Sequence, residues 1–182
     1  MLHLITGGSG SGKSSYAEEQ MLYISGQTRN QEEKDPCVYL ATMKPYGKEA
    51  LMKIERHRKL RASKGFVTVE CYKELDRIRL PKNSGILLEC MSNLGANELY
   101  GEDGTLKNRH KTAKKILKGI GHILKQTENL VIVTNEVSSE DKDYSEEILE
   151  YIYLIGEVNQ ELACMADKVT EVVYGIPVPV KG

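Results

Sequence analysis

Eight residues near the N-terminus have the types and spacing needed to bind a polyphosphate. They follow the pattern G-x-x-x-x-G-K-S and are Gly7, Gly8, Ser9, Gly10, Ser11, Gly12, Lys13 and Ser14. Glycines let the backbone wrap phosphate oxygens with its N–H groups turned inward. In such a loop the lysine reaches the β- and γ-phosphates and the hydroxyl side chain ligates Mg²⁺. We therefore predict nucleoside triphosphate binding, with Lys13 as a catalytic residue and Ser14 as a metal ligand.

A second candidate is His57, which lies in a basic stretch with an arginine on either side. A helix here would align it with Lys53 and Arg61 at positions i, i+4 and i+8. The spacing alone favours a solvated basic face. The alternative is a neutral imidazole that attacks phosphorus and forms a phosphoramidate, while nearby cations stabilise the developing charge. The remaining histidines lack such surroundings and are assigned no chemistry: His3, His110 and His122.

A third candidate is Glu89, which ends an apolar run. Ligands of parallel sheets lie outside the carboxyl ends of the strands, so polar residues at run ends are candidates for binding. Glu89 could hold Mg²⁺ through water, as a Walker-B aspartate does, or it could only cap the next helix. We predict the metal-related role. Glu136, at the end of another run, could act similarly, bind substrate or lie on the surface.

These candidates need a scaffold, and the hydrophobic pattern predicts strands that alternate with helices. Apolar runs predict strands at 2–6, 38–42, 66–70, 85–89 and 130–134, and two short ones at 169–174 and 177–180. Helical spacing predicts helices at 15–22, 48–63, 94–100, 109–126 and 144–166, with a short one ending near residue 79. A polar surface loop is predicted at 26–36. This order indicates an α/β P-loop domain with a mostly parallel sheet, helices on both faces and an antiparallel C-terminal edge.

Composition limits the classes of function. With 182 residues and 20.4 kDa, the chain is expected to form a single nucleotide-binding domain over 1–182. A net charge of -1 argues against bulk attraction to nucleic acid or anionic membranes. No apolar run reaches membrane-spanning length, and the first residues lack a signal-peptide pattern. The four cysteines are scattered without metal-ligand spacing, which favours free thiols in a reducing cytoplasm.

The ordered motifs resemble one enzyme family nearly from end to end. After the N-terminal loop come V-Y-L-A-T (38–42), K-I-E-R-H-R (53–58), T-V-E (68–70), L-L-E-C (87–90), T-N-E-V (134–137), G-E-V-N-Q-E-L-A (156–163) and A-D-K-V (166–169). The set is similar to that of the bifunctional adenosylcobinamide kinase/adenosylcobinamide-phosphate guanylyltransferase family of cobalamin biosynthesis. The histidine-containing helix and the T-N-E-V strand end are its distinctive parts.

The resemblance implies a RecA-like fold and two reactions at one nucleotide site. In the first, GTP (or ATP) with Mg²⁺ phosphorylates a hydroxyl of adenosylcobinamide, a corrinoid. In the second, a histidine takes GMP from GTP and passes it to adenosylcobinamide phosphate. By this resemblance His57 is the nucleophile, and it joins Lys13 and Glu89, which the phosphate loop and the strand end already indicate, as the predicted catalytic residues. The resemblance also implies a homotrimer.

The resemblance extends the nucleotide site beyond the glycine-rich loop. It implies that Arg58, Arg61 and Glu70 contact the nucleotide. The chain departs from the family pattern in several places. The loop at 26–36 is longer than usual, and Arg61-Ala62 and Phe66 occur where the family has Arg-Pro and then Trp. Residues 138–143 replace a glycine-rich segment, and Tyr151 and Tyr153 lie in a region where arginines are expected.

Two other functions stay open from the residues themselves. One is a P-loop kinase for another small alcohol or nucleotide, with His57 only a charged surface residue. The other is a regulatory or assembly protein that binds a nucleotide without transferring any part of it. The sequence has no N-K-x-D motif, the usual cue for guanine, which weakens an ordinary GTPase switch.

Overall fold

A single sheet connects the strands of this chain in the computed structural model, which describes residues 1–26, 36–61, 64–137 and 144–182, without the side chains of residues 53, 60 and 61. Its strands are β1 (Leu2–Thr6), β2 (Cys37–Ala41), β3 (Phe66–Glu70), β4 (Gly85–Glu89), β5 (Leu130–Val133), β6 (Lys168–Val173) and β7 (Ile176–Lys181). The helices are α1 (Lys13–Ile24), α2 (Gly47–Arg61), α3 (Met91–Leu99), α4 (Arg109–Leu124) and α5 (Glu146–Met165). A short 3₁₀ turn covers Leu75–Arg77.

The strand order across the sheet is β3-β2-β4-β5-β1-β6-β7. All neighbouring strands are parallel except β6 and β7, which form an antiparallel hairpin at one edge. The fold predicted from the sequence, a mostly parallel α/β sheet with an antiparallel C-terminal edge, is therefore confirmed. The parallel strands all point the same way. The carboxyl ends of β1 to β5, which carry the candidate residues, therefore lie side by side at one end of the strands.

The central strands are buried on both faces, which explains their unbroken apolar runs. Successive residues point to opposite faces, so Leu88 joins the larger core cluster while Leu87 joins the smaller one. The larger cluster lies beneath α3, α4 and α5, and the smaller one beneath α1. Packing on both faces therefore holds in place the carboxyl ends of the strands, where the candidate site residues lie.

Several element boundaries differ from the prediction. Helix α3 begins at Met91, immediately after β4, rather than at residue 94, and the helix expected before residue 79 is only one 3₁₀ turn. Helix α5 buries Ile152, Ile155, Val158 and Leu162, whereas Ile148, which has the same helical spacing, is 44% exposed in the first turn. Most of the predicted 26–36 loop lies outside the described residues. None of the described helices is long and apolar enough to span a membrane.

Helix α2 packs differently from the others. Ala50, Ile54 and His57 form its half-buried face, whereas Leu51 and Met52 are exposed. The half-buried side therefore includes the histidine, although the sequence alone favoured a solvated basic face. The side chains of Lys53 and Arg61, expected on the same face, lie outside the described residues.

Candidate functional site

The glycine-rich loop lies between β1 and α1 and ends at the first residues of that helix. Gly12 caps the helix in a left-handed conformation with φ 92°, which glycine adopts without steric cost. The Lys13 ammonium group donates a hydrogen bond of 2.8 Å to the carbonyl oxygen of Gly8, so the side chain is folded across the loop. Burial lowers the pKa of Lys13, an effect that the nearby Cys90 and Glu89 oppose. The helix N-terminus and the lysine together favour an anion.

The hairpin of β6 and β7 supports this loop from behind. A side chain at Gly7 would place its Cβ only 2.5 Å from the carbonyl oxygen of Val172 in β6. Beyond β6, the N–H of Gly175 donates a hydrogen bond of 2.8 Å to the carbonyl oxygen of Ser11. The loop is therefore fixed by sequence-distant backbone as well as by its own turn.

Glu89 ends β4 and is only 9% exposed. Its Oε1 accepts a hydrogen bond of 2.5 Å from the Ser14 hydroxyl, and its Oε2 accepts one of 2.9 Å from the Tyr39 hydroxyl. The two predicted metal residues thus lie in direct contact. A serine hydroxyl and a carboxylate are hard oxygen donors of the kind that Mg²⁺ prefers, so these residues fit that ion.

Tyr39 is a site residue that the sequence analysis missed. It lies inside the apolar run of β2 and is 4% exposed, so it resembles an ordinary core residue. The pairing of β2 with β4 aligns Tyr39 with Leu87 and Ala41 with Glu89. Because alternate residues of paired strands share a face, Tyr39 and Glu89 point to the same side of the sheet. That register was the one signal that could have revealed the contact.

One wall of the site, formed by α2 and β3, carries His57 and Glu70. The Arg58 guanidinium donates to Glu70 Oε1 at 2.6 Å, and the Tyr72 hydroxyl donates to Glu70 Oε2 at the same distance. The hydrogen bond from Tyr72, with a smaller contribution from Arg58, lowers the pKa of Glu70. Burial, and then the Glu70 carboxylate, raises the pKa of Tyr72 to about 12. This wall therefore contributes a fixed carboxylate and a histidine to the same cleft.

The opposite wall is built from the β4–α3 junction, the end of β5 and helix α5. The Asn135 side-chain N–H donates to Ser92 Oγ at 2.5 Å, and the Tyr151 hydroxyl donates to the Ser92 carbonyl oxygen at 3.3 Å. The strand end at residues 134–136 was predicted from the sequence, whereas Ser92 was not, and Tyr151 had no predicted role. Glu136, the other carboxylate considered there, is exposed and does not line the site.

These two walls and the loop enclose a cleft of about 440 Å³. It brings together most of the predicted site residues: Ser9, Gly10, Lys13, Ser14, His57, Arg58, Glu70 and Glu89. The other loop residues do not line the cleft: Gly7, Gly8, Ser11 and Gly12. The side chain predicted at Arg61 lies outside the described residues. The structure does not test the roles assigned to these residues, which remain predictions.

The other histidines are engaged elsewhere. His3 is buried and its Nε2 lies 2.9 Å from the Thr170 hydroxyl oxygen, and burial lowers the pKa of His3 to about 4. His110 contacts Glu157 on α5, and the ring of His122 contacts the Ile78 carbonyl oxygen. Among the residues that the structure describes, His57 is thus the histidine that lines the cleft.

A glycine-rich loop between β1 and α1, with a buried lysine and a carboxylate at a neighbouring strand end, defines a P-loop α/β protein. The family model described as "Cobinamide kinase / cobinamide phosphate guanyltransferase" (CobU) matches residues 3–180. The chain therefore belongs to this family of transferases in cobalamin biosynthesis.

Individual relatives agree with this assignment. The chain is 30% identical over 192 residues to the "Bifunctional adenosylcobalamin biosynthesis protein CobU" of Salmonella typhimurium and, equally, to that of Escherichia coli. Both alignments cover all of this chain and all of the relative. Among solved structures, an ATPase domain aligns with this chain at 11% sequence identity and a TM-score of 0.48. The alignment covers 93% of this chain and 68% of the ATPase domain chain.

Proposed function

We propose that this enzyme phosphorylates the hydroxyl of a cobinamide with GTP and then transfers GMP to the new phosphate through His57. The observation that carries the proposal is that His57 and Lys13 line the same cleft. A kinase needs the phosphate loop, and nucleotidyl transfer through a phosphoramidate also needs a histidine beside the nucleotide. The description of the family names both reactions, and the two relatives are named as bifunctional proteins of adenosylcobalamin biosynthesis.

In the kinase step the cobinamide hydroxyl oxygen attacks the γ-phosphorus. The bond from that phosphorus to the β–γ bridging oxygen breaks, GDP leaves, and the hydroxyl proton is lost to water. Lys13 gives up its hydrogen bond to the Gly8 carbonyl oxygen and donates to the phosphate oxygens instead, which stabilises their negative charge. Ser14 and Glu89 would hold Mg²⁺, which neutralises charge on the phosphates when bound.

In the transferase step a ring nitrogen of His57 attacks the α-phosphorus of GTP. The bond to the α–β bridging oxygen breaks, pyrophosphate leaves, and a phosphoramidate joins the histidine to GMP. A phosphate oxygen of cobinamide phosphate then attacks the same phosphorus. The P–N bond breaks, which frees His57 and gives cobinamide-GDP, in which the β-phosphate of the GDP unit is the phosphate that the cobinamide brought.

Glu70 supports the choice of guanine. Guanine presents N–H donors at N1 and N2, which a carboxylate can accept, whereas adenine presents an acceptor at N1. Each oxygen of Glu70 accepts one described hydrogen bond, from Arg58 or Tyr72, and retains a further lone pair. β3 and β1 are four strand positions apart, or about 19 Å at ~4.8 Å per strand. This span suits an extended nucleotide with phosphates at the loop and base at Glu70.

The proposal is tested with GTP labelled at either the α- or the γ-phosphate. The wild-type protein should retain α-label in an acid-labile form and transfer γ-label to cobinamide. His57→Ala should lose retention of GMP and keep most of the γ-transfer, whereas Lys13→Ala should lose both. His110→Ala is the matched control, since that ring is exposed and outside the cleft.

Each alternative has its own result in this experiment. Transfer of γ-label by a wild type that never retains α-label would indicate a kinase alone. Binding of GTP with neither reaction would indicate a regulatory nucleotide-binding protein. Retention of GMP by His57→Ala would place the nucleophile elsewhere.

The finer features implied by the family resemblance complete this proposal. The chain acts as one P-loop domain that assembles into a homotrimer in the cytoplasm and takes corrinoid substrates. Sedimentation equilibrium of the purified protein measures the assembly, and a monomer or dimer at micromolar concentration would contradict it.

A further inference from the structure

One wall of the cleft has no part in the function proposed above. It consists of Ser92 and Asn93 at the start of α3, Asn135 after β5, and Tyr151 on α5. These side chains are polar, yet none has the charge that binds a phosphate or the carboxylate that selects guanine. Their hydroxyl and amide groups instead suit a neutral polar ligand.

The wall is held rigidly by hydrogen bonds from behind. The Asn159 side-chain N–H donates to the Asn135 carbonyl oxygen at 3.2 Å, and the Thr134 hydroxyl donates to Asn159 Oδ1 at 2.7 Å. In front, Asn135 donates to Ser92 Oγ, and the Ser92 side chain also hydrogen-bonds to the Cys90 side chain, so its position is fixed from both sides. A side chain whose orientation is fixed in advance loses less entropy when it binds.

Tyr151 remains a hydrogen-bond donor at any pH near neutrality. Burial raises the pKa of Tyr151 to about 12, so its hydroxyl keeps its proton. In the free protein that proton is directed to the Ser92 carbonyl oxygen at 3.3 Å, a long hydrogen bond. A ligand oxygen at closer range could replace this partner.

The strand order gives the wall its position relative to the nucleotide. Across the sheet edge, Glu70 ends β3, Glu89 ends β4, and Asn135 follows β5, which adjoins β1 and its phosphate loop. At ~4.8 Å per strand, Glu70 is about 10 Å from Glu89 on one side, and β5 is about 5 Å away on the other. The wall thus adjoins the terminal phosphate of a nucleotide whose base lies at Glu70.

We propose that Tyr151, Ser92 and Asn135 bind the acceptor alcohol for phosphoryl transfer and direct its oxygen at the γ-phosphorus. This inference rests on the function proposed above and identifies where its first acceptor binds. The oxygen forms a bond to the γ-phosphorus as the bond to the β–γ bridging oxygen breaks, GDP leaves, and the hydroxyl proton passes to water. His57 lies on the opposite wall, so the phosphorylated product must leave this wall before it can accept GMP.

The test compares two tyrosines of the same helix. Tyr151→Phe removes one hydroxyl from the cleft, and Tyr153→Phe removes one from a ring that lies over Arg109, with 5.2 Å from the guanidinium carbon to the ring centroid. Cobinamide is the variable substrate at saturating GTP. Loss of one hydrogen bond should raise the KM for cobinamide about three- to tenfold in Tyr151→Phe. GTP affinity and GMP retention should match those of the wild type, and Tyr153→Phe should change none of these.

A second variant, Ser92→Ala, should raise the same KM without changing GTP affinity. Unchanged cobinamide KM in both Tyr151→Phe and Ser92→Ala would overturn the inference and leave the proposed function intact. An equal loss of GTP affinity would also overturn it, because the wall would then belong to the nucleotide site. A wild type that phosphorylates no cobinamide would instead refute the proposed function, and the inference with it.

Discussion

The substitution Tyr39→Phe removes one hydroxyl group. It should show how much the hydrogen bond from Tyr39 to Glu89 contributes to the free energy of unfolding. The Tyr39 hydroxyl is buried and donates to Glu89 Oε2 at 2.9 Å, while its ring contacts Phe66 edge to face. Phenylalanine keeps that ring contact and removes the hydroxyl donor. A hydrogen bond to a charged group contributes about 1.5–3 kcal/mol, so the free energy of unfolding should fall by that amount. With a urea slope of about 2 kcal/mol per molar, the midpoint should fall by about 1 M.

Urea unfolding followed by circular dichroism provides the assay, and Tyr16→Phe is the control. Tyr16 lies on α1 with its ring edge to face against His3, and its hydroxyl makes no hydrogen bond within the described residues. The control should change the free energy of unfolding by less than about 0.5 kcal/mol. Equal stability losses in the two variants, or no loss in Tyr39→Phe, would refute the reasoning that Glu89 depends on this donor.

Two further substitutions have matched controls. Glu89→Gln should raise the Mg²⁺ concentration for half-maximal phosphoryl transfer about 10- to 100-fold, because it removes a negative charge beside the metal-binding hydroxyl. Glu98→Gln, in a buried carboxylate outside the cleft, should leave that concentration unchanged, and an equal shift would contradict the metal role. Gly7→Ala should lower the free energy of unfolding by more than about 1 kcal/mol, since the added Cβ meets Val172 at 2.5 Å. Gly8→Ala is the control, because the space around Gly8 is open, and it should leave the free energy of unfolding nearly unchanged. Thermal unfolding measures both variants, and a similar loss of stability in the two would contradict a specific clash at Gly7.

The sequence was sufficient to predict which strands would bring the chemistry together. Short apolar runs that alternate with helices favour a parallel sheet, and such a sheet collects its carboxyl ends on one edge. That rule joined Glu89 to the phosphate loop before any contact was known. Ser14 and Glu89 are in fact 2.5 Å apart. The antiparallel C-terminal edge followed from two short strands around a glycine.

Contacts that depend on register and packing could not be predicted in this way. Tyr39 contacts Glu89 only because β2 pairs with β4 in one particular register. Tyr151 enters the cleft because α5 packs beside α3, although its sequence spacing matches that of a core stripe. The pairing of Arg58 with Glu70 likewise requires α2 to lie beside the end of β3. Periodicity identifies the buried face of an element, and it carries no information about the partner.

The position of β1 in the sheet has a consequence for the synthesis of this chain on the ribosome. β1 pairs only with β5 and β6, whose residues are separated from it by more than a hundred positions. A ribosome adds residues at about 5–20 per second. The phosphate loop after β1 therefore leaves the ribosome several seconds before β5 and β6, the strands that pair with β1. During that interval β1 has two unpaired edges, and long-range parallel pairing is slow. Nucleotide should therefore not stabilise the nascent chain until β6 has left the ribosome, and early release would yield chains that carry the motif and cannot bind phosphate.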